Sequence, residues 1–247
     1  MRVTLIGAGP GDAGLITVKG ARRLRCADVV LYDSLVSEDV LALIPDGAEK
    51  INVGKQAGLH PVPQGKINDL LLARAKEGKE VVRLKGGDPF VFSRGGEELE
   101  LLAENGIPFE VIPGVSSAIA GPAYAGIPVT HRDCASSLHI VTAHRKENGK
   151  LDIDFEGLAR LHGTVVFLMG VATVDGIRDG CLRAGMAADT PAAIVENATT
   201  PRQRSFIGTL EKLPEIAKEN NIVPPAVIVV GEVCRYAQRF DWYVPSP

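Results

Sequence analysis

The stretch VTLIGAGPGDAGLIT, running from Val3 to Thr17, carries the reading that decides the fold. Val3-Thr4-Leu5-Ile6 is a short apolar run that reads as a strand. It empties into Gly7-Ala8-Gly9-Pro10-Gly11-Asp12, and glycines at a strand end let backbone approach a ligand closely and permit positive φ. A dinucleotide-binding turn would also place glycines here, with Asp33 near the expected ribose-binding acid. The register speaks against that. Gly7 and Gly9 match, but Asp12 holds the third glycine position, and the alternative frame from Gly9 to Gly14 starts late and contains Pro10. A purely structural turn stays open.

Working outward, β-type runs alternate with helical patterns. Further strands are expected at 28–32, 50–53, 80–84 and 109–112. Ile67, Leu70, Leu71 and Ala75 share one helical face before Gly78. Glu97 and Glu98 stand in the first turn of another helix, where the helix dipole favours anions. Such alternation implies right-handed crossovers and a largely parallel sheet. Pro113-Gly114-Val115-Ser116-Ser117 reads as a joint, after which strands recur at 138–141, 165–168, 192–195 and 226–230. The expected organisation is an α/β fold of two α/β domains, residues 1–113 and 114–247. The ligand is expected in the cleft between them, beyond the carboxyl ends of the strands.

Bulk properties narrow the function. The chain has 247 residues and a net charge of −3, so a general basic face for nucleic acid is not expected. Cationic partners for an anionic ligand would have to gather in one cleft. Cys26, Cys134, Cys181 and Cys234 are too scattered for a CxxC site and read as reduced thiols. The five histidines form no metal-ligand pattern, so no metal is expected. No serine is framed as a nucleophile elbow, which leaves hydrolysis unsupported. Met1-Arg2-Val3-Thr4 leads directly into a strand, and no apolar run reaches the roughly 20 residues that span a bilayer. No signal peptide and no membrane partner are expected, and a cytoplasmic enzyme is the default.

Three further motifs bear chemistry. Val82 to Phe92 is a strand ending in Lys85-Gly86-Gly87-Asp88. Paired glycines there expose backbone groups, and Asp88 could accept from hydroxyls or complement a cation; a tight turn with a capping Asp is the plain alternative. Ser116 or Ser117 could cap a helix of small residues that allows close approach. Asp33 and Lys55 each end a strand and could move protons, or be a helix cap and a solvated lysine.

Together these residues resemble the tetrapyrrole (corrin/porphyrin) methyltransferase family. The shared text is VTLIGAGPGDAGLIT from Val3, ADVVLYDSLV from Ala27, VGK from Val53, VVRLKGGDPFVFSRGGEE from Val81, GIPFEVIPGVSSAIAG from Gly106 and AGIPVTHR from Ala125. Ser93 and Ser116 stand where the family text has Gly and Thr; the second change keeps the hydroxyl. The resemblance implies the tetrapyrrole methylase fold, S-adenosylmethionine as cofactor with S-adenosylhomocysteine as product, and a homodimer. It also implies a tetrapyrrole substrate, uroporphyrinogen III, methylated at positions 2 and 7 to precorrin-2 for sirohaem and cobalamin synthesis. Its cofactor contacts fall on Pro10, Gly86, Gly87, Asp88, Val91, Ser116, Ser117, Met169, Ala198 and Ala226. Its proton acceptor and donor fall on Asp33 and Lys55. The dehydrogenase and chelatase domain of fused sirohaem synthases is not in the sequence, so a monofunctional enzyme is expected.

The substrate's carboxylates call for cations, and Lys19, Arg94, Arg132 and Arg145, all on expected loops, are the candidates. Three alternatives stand beside this reading: a methyltransferase for a later precorrin, a nicotinamide-dependent oxidoreductase, and a non-catalytic tetrapyrrole carrier.

Overall fold

The computed structural model describes residues 2–54, 62–144 and 151–244. Lys55 and Arg145 fall outside them. The chain divides into two compact units, Met1–Ser116 and Ser117–Pro247.

The first unit holds five strands: β1 (Arg2–Gly7), β2 (Val29–Tyr32), β3 (Glu49–Asn52), β4 (Glu80–Lys85) and β5 (Phe109–Ile112). Four helices, α1 (Val18–Leu24), α2 (Glu38–Leu41), α3 (Gln64–Lys76) and α4 (Gly95–Glu104), connect them. The sheet order is β3-β2-β4-β1-β5, and every pairing is parallel. Period-two alternation sorts the apolar side chains onto two faces. Ile6, Val30, Val82 and Leu84 pack with Leu24 of α1 and Val40 of α2. Leu5, Leu31 and Val81 pack with Leu71 of α3 and Leu102 of α4. Each fully buried leucine or isoleucine contributes about 1.5–3 kcal/mol.

The winding reverses inside this sheet. From β1 the chain leaves towards β2, and from its neighbour β4 it leaves towards β5 on the opposite side. The carboxyl ends of β1 and β4 therefore flank the switch point, where open α/β sheets bind ligands. Both glycine motifs end up there.

The second unit is built on a mixed sheet. Its strands are β6 (Leu138–Thr142), β7 (Thr164–Leu168), β8 (Pro191–Glu196), β9 (Arg204–Thr209) and β10 (Ala226–Val230), in the order β6-β7-β10-β8-β9. Apart from β6 with β7, the pairings are antiparallel. The crossovers exist: α7 (Val174–Arg183) joins β7 to β8, and α8 (Leu213–Glu219) joins β9 to β10. Each leaves a one-strand gap that a strand of opposite direction fills. Alternation sets the direction of the strands a helix joins, not of the strand between them. β9 was not anticipated; inward Phe206 and Gly208 alternate with outward Ser205 and Ile207. Phe167, Ile194 and Ile228 pack with Ile177 of α7 and Leu213 of α8. Helix α5 (Ser117–Tyr124) lies against β7 and β10, and α6 (Phe155–Leu161) stands between β6 and β7 in the chain.

Two glycine substitutions should have opposite signs. A Cβ on Gly7 would lie 2.6 Å from the Gly87 carbonyl oxygen and nearer still to Gly114 backbone, whereas Gly96 in α4 has nothing within 4 Å. In urea denaturation, Gly7→Ala should lose about 1–3 kcal/mol by overpacking. Gly96→Ala should gain about 0.5–1 kcal/mol, because it limits the unfolded chain and favours helix.

Candidate active site

At the switch point, backbone meets backbone. Ala8 N–H donates to the Lys85 carbonyl at 2.8 Å, Gly87 N–H donates to Gly9 at 2.7 Å, and Gly9 N–H returns a bond to Gly87 at 3.2 Å. Gly9 and Gly87 take φ of 82° and 66°, the left-handed region that suits glycine. Gly7, Gly87 and Gly114 touch at the ends of β1, β4 and β5, leaving no room for a Cβ on Gly7 or Gly114. Asp88 locks this knot. Its Oδ1 accepts from Phe90 N–H at 2.8 Å and Val91 N–H at 3.2 Å, and Oδ2 accepts from Gly114 N–H at 3.1 Å. The carboxylate thus braces the β4 loop against the β5 loop. Pro10, Gly86, Gly87, Asp88 and Val91 share this edge.

The first glycine loop does not open a helix. A short 3₁₀ turn at Ala13–Leu15 follows it, and α1 starts at Val18 under a cap in which Thr17 Oγ1 accepts from Gly20 N–H at 3.0 Å. A pyrophosphate would find no helix N-terminus there, which disfavours the nicotinamide reading.

Asp33 follows β2 at the same edge. Its Oδ1 accepts from Arg83 Nη2 at 2.6 Å. Arg83 and Lys85 are inward residues of β4, side chains 2% and 3% exposed, and both bond Oε1 of the fully buried Glu98 from α4, at 3.0 and 2.8 Å. Gln64 Nε2 donates to the same oxygen at 3.2 Å. Glu98 Oε2 has no hydrogen-bond partner among the described residues. Burial alone would pull Arg83 down, but Asp33 and Glu98 hold its guanidinium above the ordinary value. Lys85 is held below the usual amine range, first by burial and then by Arg83, with Glu98 opposing. As members of the site, Arg83 and Glu98 escaped the sequence reading. The signal was two cations at alternate positions of a strand whose neighbouring residues Val81, Val82 and Leu84 are apolar.

The edge also carries exposed apolar groups: Leu35, Phe90 and Phe92 are 58%, 57% and 44% exposed. These too were missed. Arg94 sits beside them with φ 60°, and it grips Glu97 through two bonds of 2.9 and 2.6 Å. Lys19 belongs elsewhere. It lies in α1, not in a loop, and bonds Glu110 at 2.5 Å, as do Arg2 and Arg23 at 3.2 and 3.1 Å. Like Arg94, it is already engaged by a carboxylate. Arg132 is exposed in the His131–Ala135 turn and has no partner among the described residues.

In the second unit the remaining positions share one sheet edge. Met169 follows β7, Ala198 lies just beyond β8, and Ala226 begins the antiparallel β10, paired with Glu196. The backbone here is strained: Met169, Asn197 and Thr199 have φ of 57°, 48° and 66°. For a β-branched threonine this is an outlier, costing about 1–3 kcal/mol, and such strain gathers at ligand-carrying turns. Ser117 opens α5, and a Cβ on Gly121, one turn on, would lie 3.4 Å from the Ala198 methyl group. Glu196 is buried; its Oε2 accepts from Arg204 Nε at 2.6 Å and its Oε1 from Val223 N–H at 2.8 Å. Burial pushes its pKa up, but the Arg204 and Val223 bonds outweigh this and hold it below the usual carboxylate value. Among the described residues, no group of three His, Cys, Asp or Glu is placed to hold a metal.

A wound parallel sheet with a glycine-lined switch point, joined in one chain to a mixed sheet with strained strand ends, defines a two-unit α/β protein that binds a small organic ligand. The profile of the tetrapyrrole (corrin/porphyrin) methylases matches residues 2–214, and the chain belongs to that family. It is 56% identical over 245 residues to a porphyrin biosynthesis protein HemD of Ruminiclostridium josui, covering 99% of this chain and 49% of that one. It is 50% identical over 241 residues to a sirohaem synthase of Salmonella schwarzengrund, covering 98% of this chain and 52% of that one. The chain therefore spans about half the length of the curated relatives it matches. Among solved structures, a uroporphyrin-III C-methyltransferase of Thermus thermophilus complexed with S-adenosylhomocysteine is 44% identical with a TM-score of 0.81, covering 95% of this chain and 99% of that one. A cobalt precorrin-4 methyltransferase is 33% identical with a TM-score of 0.84, covering 94% and 95%. No helix among the described residues is long and apolar enough to cross a membrane.

Two substitutions test the electrostatics. Glu98→Ala leaves Arg83 and Lys85 buried without their shared anion, and should cost about 3–5 kcal/mol in chemical denaturation. Glu196 has a folded pKa below its unfolded value of about 4.3, so its contribution is present above that pH and is lost as pH falls through the folded value. The stability gap between wild type and Glu196→Gln should be largest near neutrality and should close on acidification.

Proposed function

We propose that this chain is an S-adenosylmethionine-dependent C-methyltransferase that methylates uroporphyrinogen III twice, at positions 2 and 7, to give precorrin-2. The observation that carries the proposal is the Asp33 carboxylate, held by buried Arg83 on the same sheet edge as the Gly86-Gly87-Asp88 loop. The residues fit the cofactor: a glycine knot without side chains of its own, with left-handed Gly87, accepts a nucleoside, and the missing helix N-terminus suits a ligand without phosphate. Pro10, Gly86, Gly87, Val91, Ser116, Ser117, Met169, Ala198 and Ala226 hold it, with Asp88 shaping the loop. When bound, it supplies a methyl group already activated on a sulfonium.

The protein's tasks are alignment and exclusion of water. Asp33 accepts the proton that leaves the methylated ring, and Arg83 fixes the orientation of its carboxylate. Lys55 supplies or relays a proton. Leu35, Phe90 and Phe92 offer apolar surface to the pyrrole rings of the macrocycle, while Arg94 and Arg132 meet its carboxylates. The enzyme works as a homodimer.

A second reading, methylation of a later precorrin, is favoured by the TM-score of 0.84 to the cobalt precorrin-4 methyltransferase. Incubation with uroporphyrinogen III and labelled S-adenosylmethionine, followed by mass analysis, separates the two: the first requires a product carrying two added methyl groups. Asp33→Ala should slow turnover by about 10²–10⁴-fold, the range for a general base, with affinity for S-adenosylhomocysteine nearly intact. Wild-type turnover in that variant would remove Asp33 from the mechanism.

A further inference from the structure

The turn that carries Ala198 is held from outside the proposed cofactor contacts. Asn197 and Thr199, on either side of Ala198, are both left-handed. Thr199 is 2% exposed, and its N–H donates to Gln203 Oε1 at 2.7 Å. The same Gln203 amide donates through Nε2 to the Tyr124 carbonyl at 2.9 Å, where α5 ends. One side chain thus joins the strained turn to the helix that Ser117 opens.

A second tie runs in parallel. Tyr243 O–H donates to the Thr200 carbonyl at 3.1 Å, and Trp242 Nε1 donates to the Ala123 carbonyl at 2.9 Å. The Tyr124 ring lies between them, 4.9 Å from the Trp242 ring and 4.8 Å from that of Tyr243. The carboxyl-terminal segment therefore grips both the end of α5 and the Asn197–Gln203 turn. Trp242 and Tyr243 lie beyond residue 214, where the family match ends.

We infer that Gln203, with the strap formed by Trp242 and Tyr243, consists of positioning residues that hold the Ala198 turn in register with α5 and so set the affinity for the cofactor's nucleoside. Neither element needs to touch the ligand. Gln203 keeps Thr199 left-handed by accepting its N–H, and the strap limits how far the turn can move from Ala123 and Tyr124. The inference rests on the cofactor reading proposed above.

The test compares wild type, Gln203→Leu and Tyr243→Phe. S-adenosylhomocysteine binding is measured by calorimetry, KM and kcat with S-adenosylmethionine, and the thermal midpoint without ligand. Gln203→Leu should raise Kd about tenfold and Tyr243→Phe about threefold, with KM for S-adenosylmethionine rising in step while kcat at saturation stays within about twofold, the pattern for lost uniform binding. A fall in kcat with unchanged KM, or a Kd within about twofold of wild type in both variants, overturns the inference. A drop in the thermal midpoint that alone accounts for weaker binding also overturns it. Failure of the wild type to bind S-adenosylhomocysteine is a different result: it overturns the cofactor reading, and the inference falls with it.

Discussion

The contact on which the first unit depends is backbone against backbone, where Gly7, Gly87 and Gly114 meet at the ends of three parallel strands. Side chains normally keep neighbouring loops apart at the carboxyl edge of a sheet. Here their absence lets the β1 and β4 loops bond to each other through Gly9 and Gly87, and lets Asp88 reach across to Gly114. The result is a knot whose shape is set by main chain, with few rotamers to order in binding the proposed cofactor. Such preorganisation lowers the entropic cost of binding.

Directly behind that edge lies a costlier feature. Arg83, Lys85 and Glu98 are charges taken out of water, and a buried ion cluster of this kind is often no more stable than a hydrophobic replacement. Its return is geometric. Glu98 comes from α4, Arg83 from β4 and Asp33 from the end of β2, so the cluster ties a helix, a central strand and a loop together at the position of one carboxylate oxygen. That geometry suits the proton-accepting role proposed for Asp33. In the second unit the Asn197–Gln203 turn shows the same logic, with strained backbone at the strand end and hydrogen-bonding side chains holding it from behind.

Much of this was legible in the residues. The nine anticipated strands are present with ends shifted by about one residue, because β-branched runs bounded by glycine and proline leave little choice of local structure. The two glycine motifs were visible as places where side chains had been given up. The tenth strand was not, since Arg204–Thr209 is an edge strand with one buried face and a weak alternation. That the second sheet is mostly antiparallel was not legible in the residues, because strand pairing is a long-range choice. The Lys19–Glu110 pair was hidden for a similar reason: the two residues are 91 apart, and nothing near Lys19 announces its partner.

By itself, then, the sequence determined the local conformations, the alternation of strands and helices, the family text and the positions of the bare backbone. These follow from short-range sterics and periodicity, which act between residues a few positions apart. The tertiary structure alone decided that Gly87 docks on Gly9, that Arg83 serves Asp33 while anchored by Glu98, that β10 enters its sheet antiparallel, and that Tyr243 clasps the turn after Ala198. Each of these joins groups distant in the chain, and the energy of bringing them together depends on burial and on hydrogen-bond geometry that exist once the core has formed.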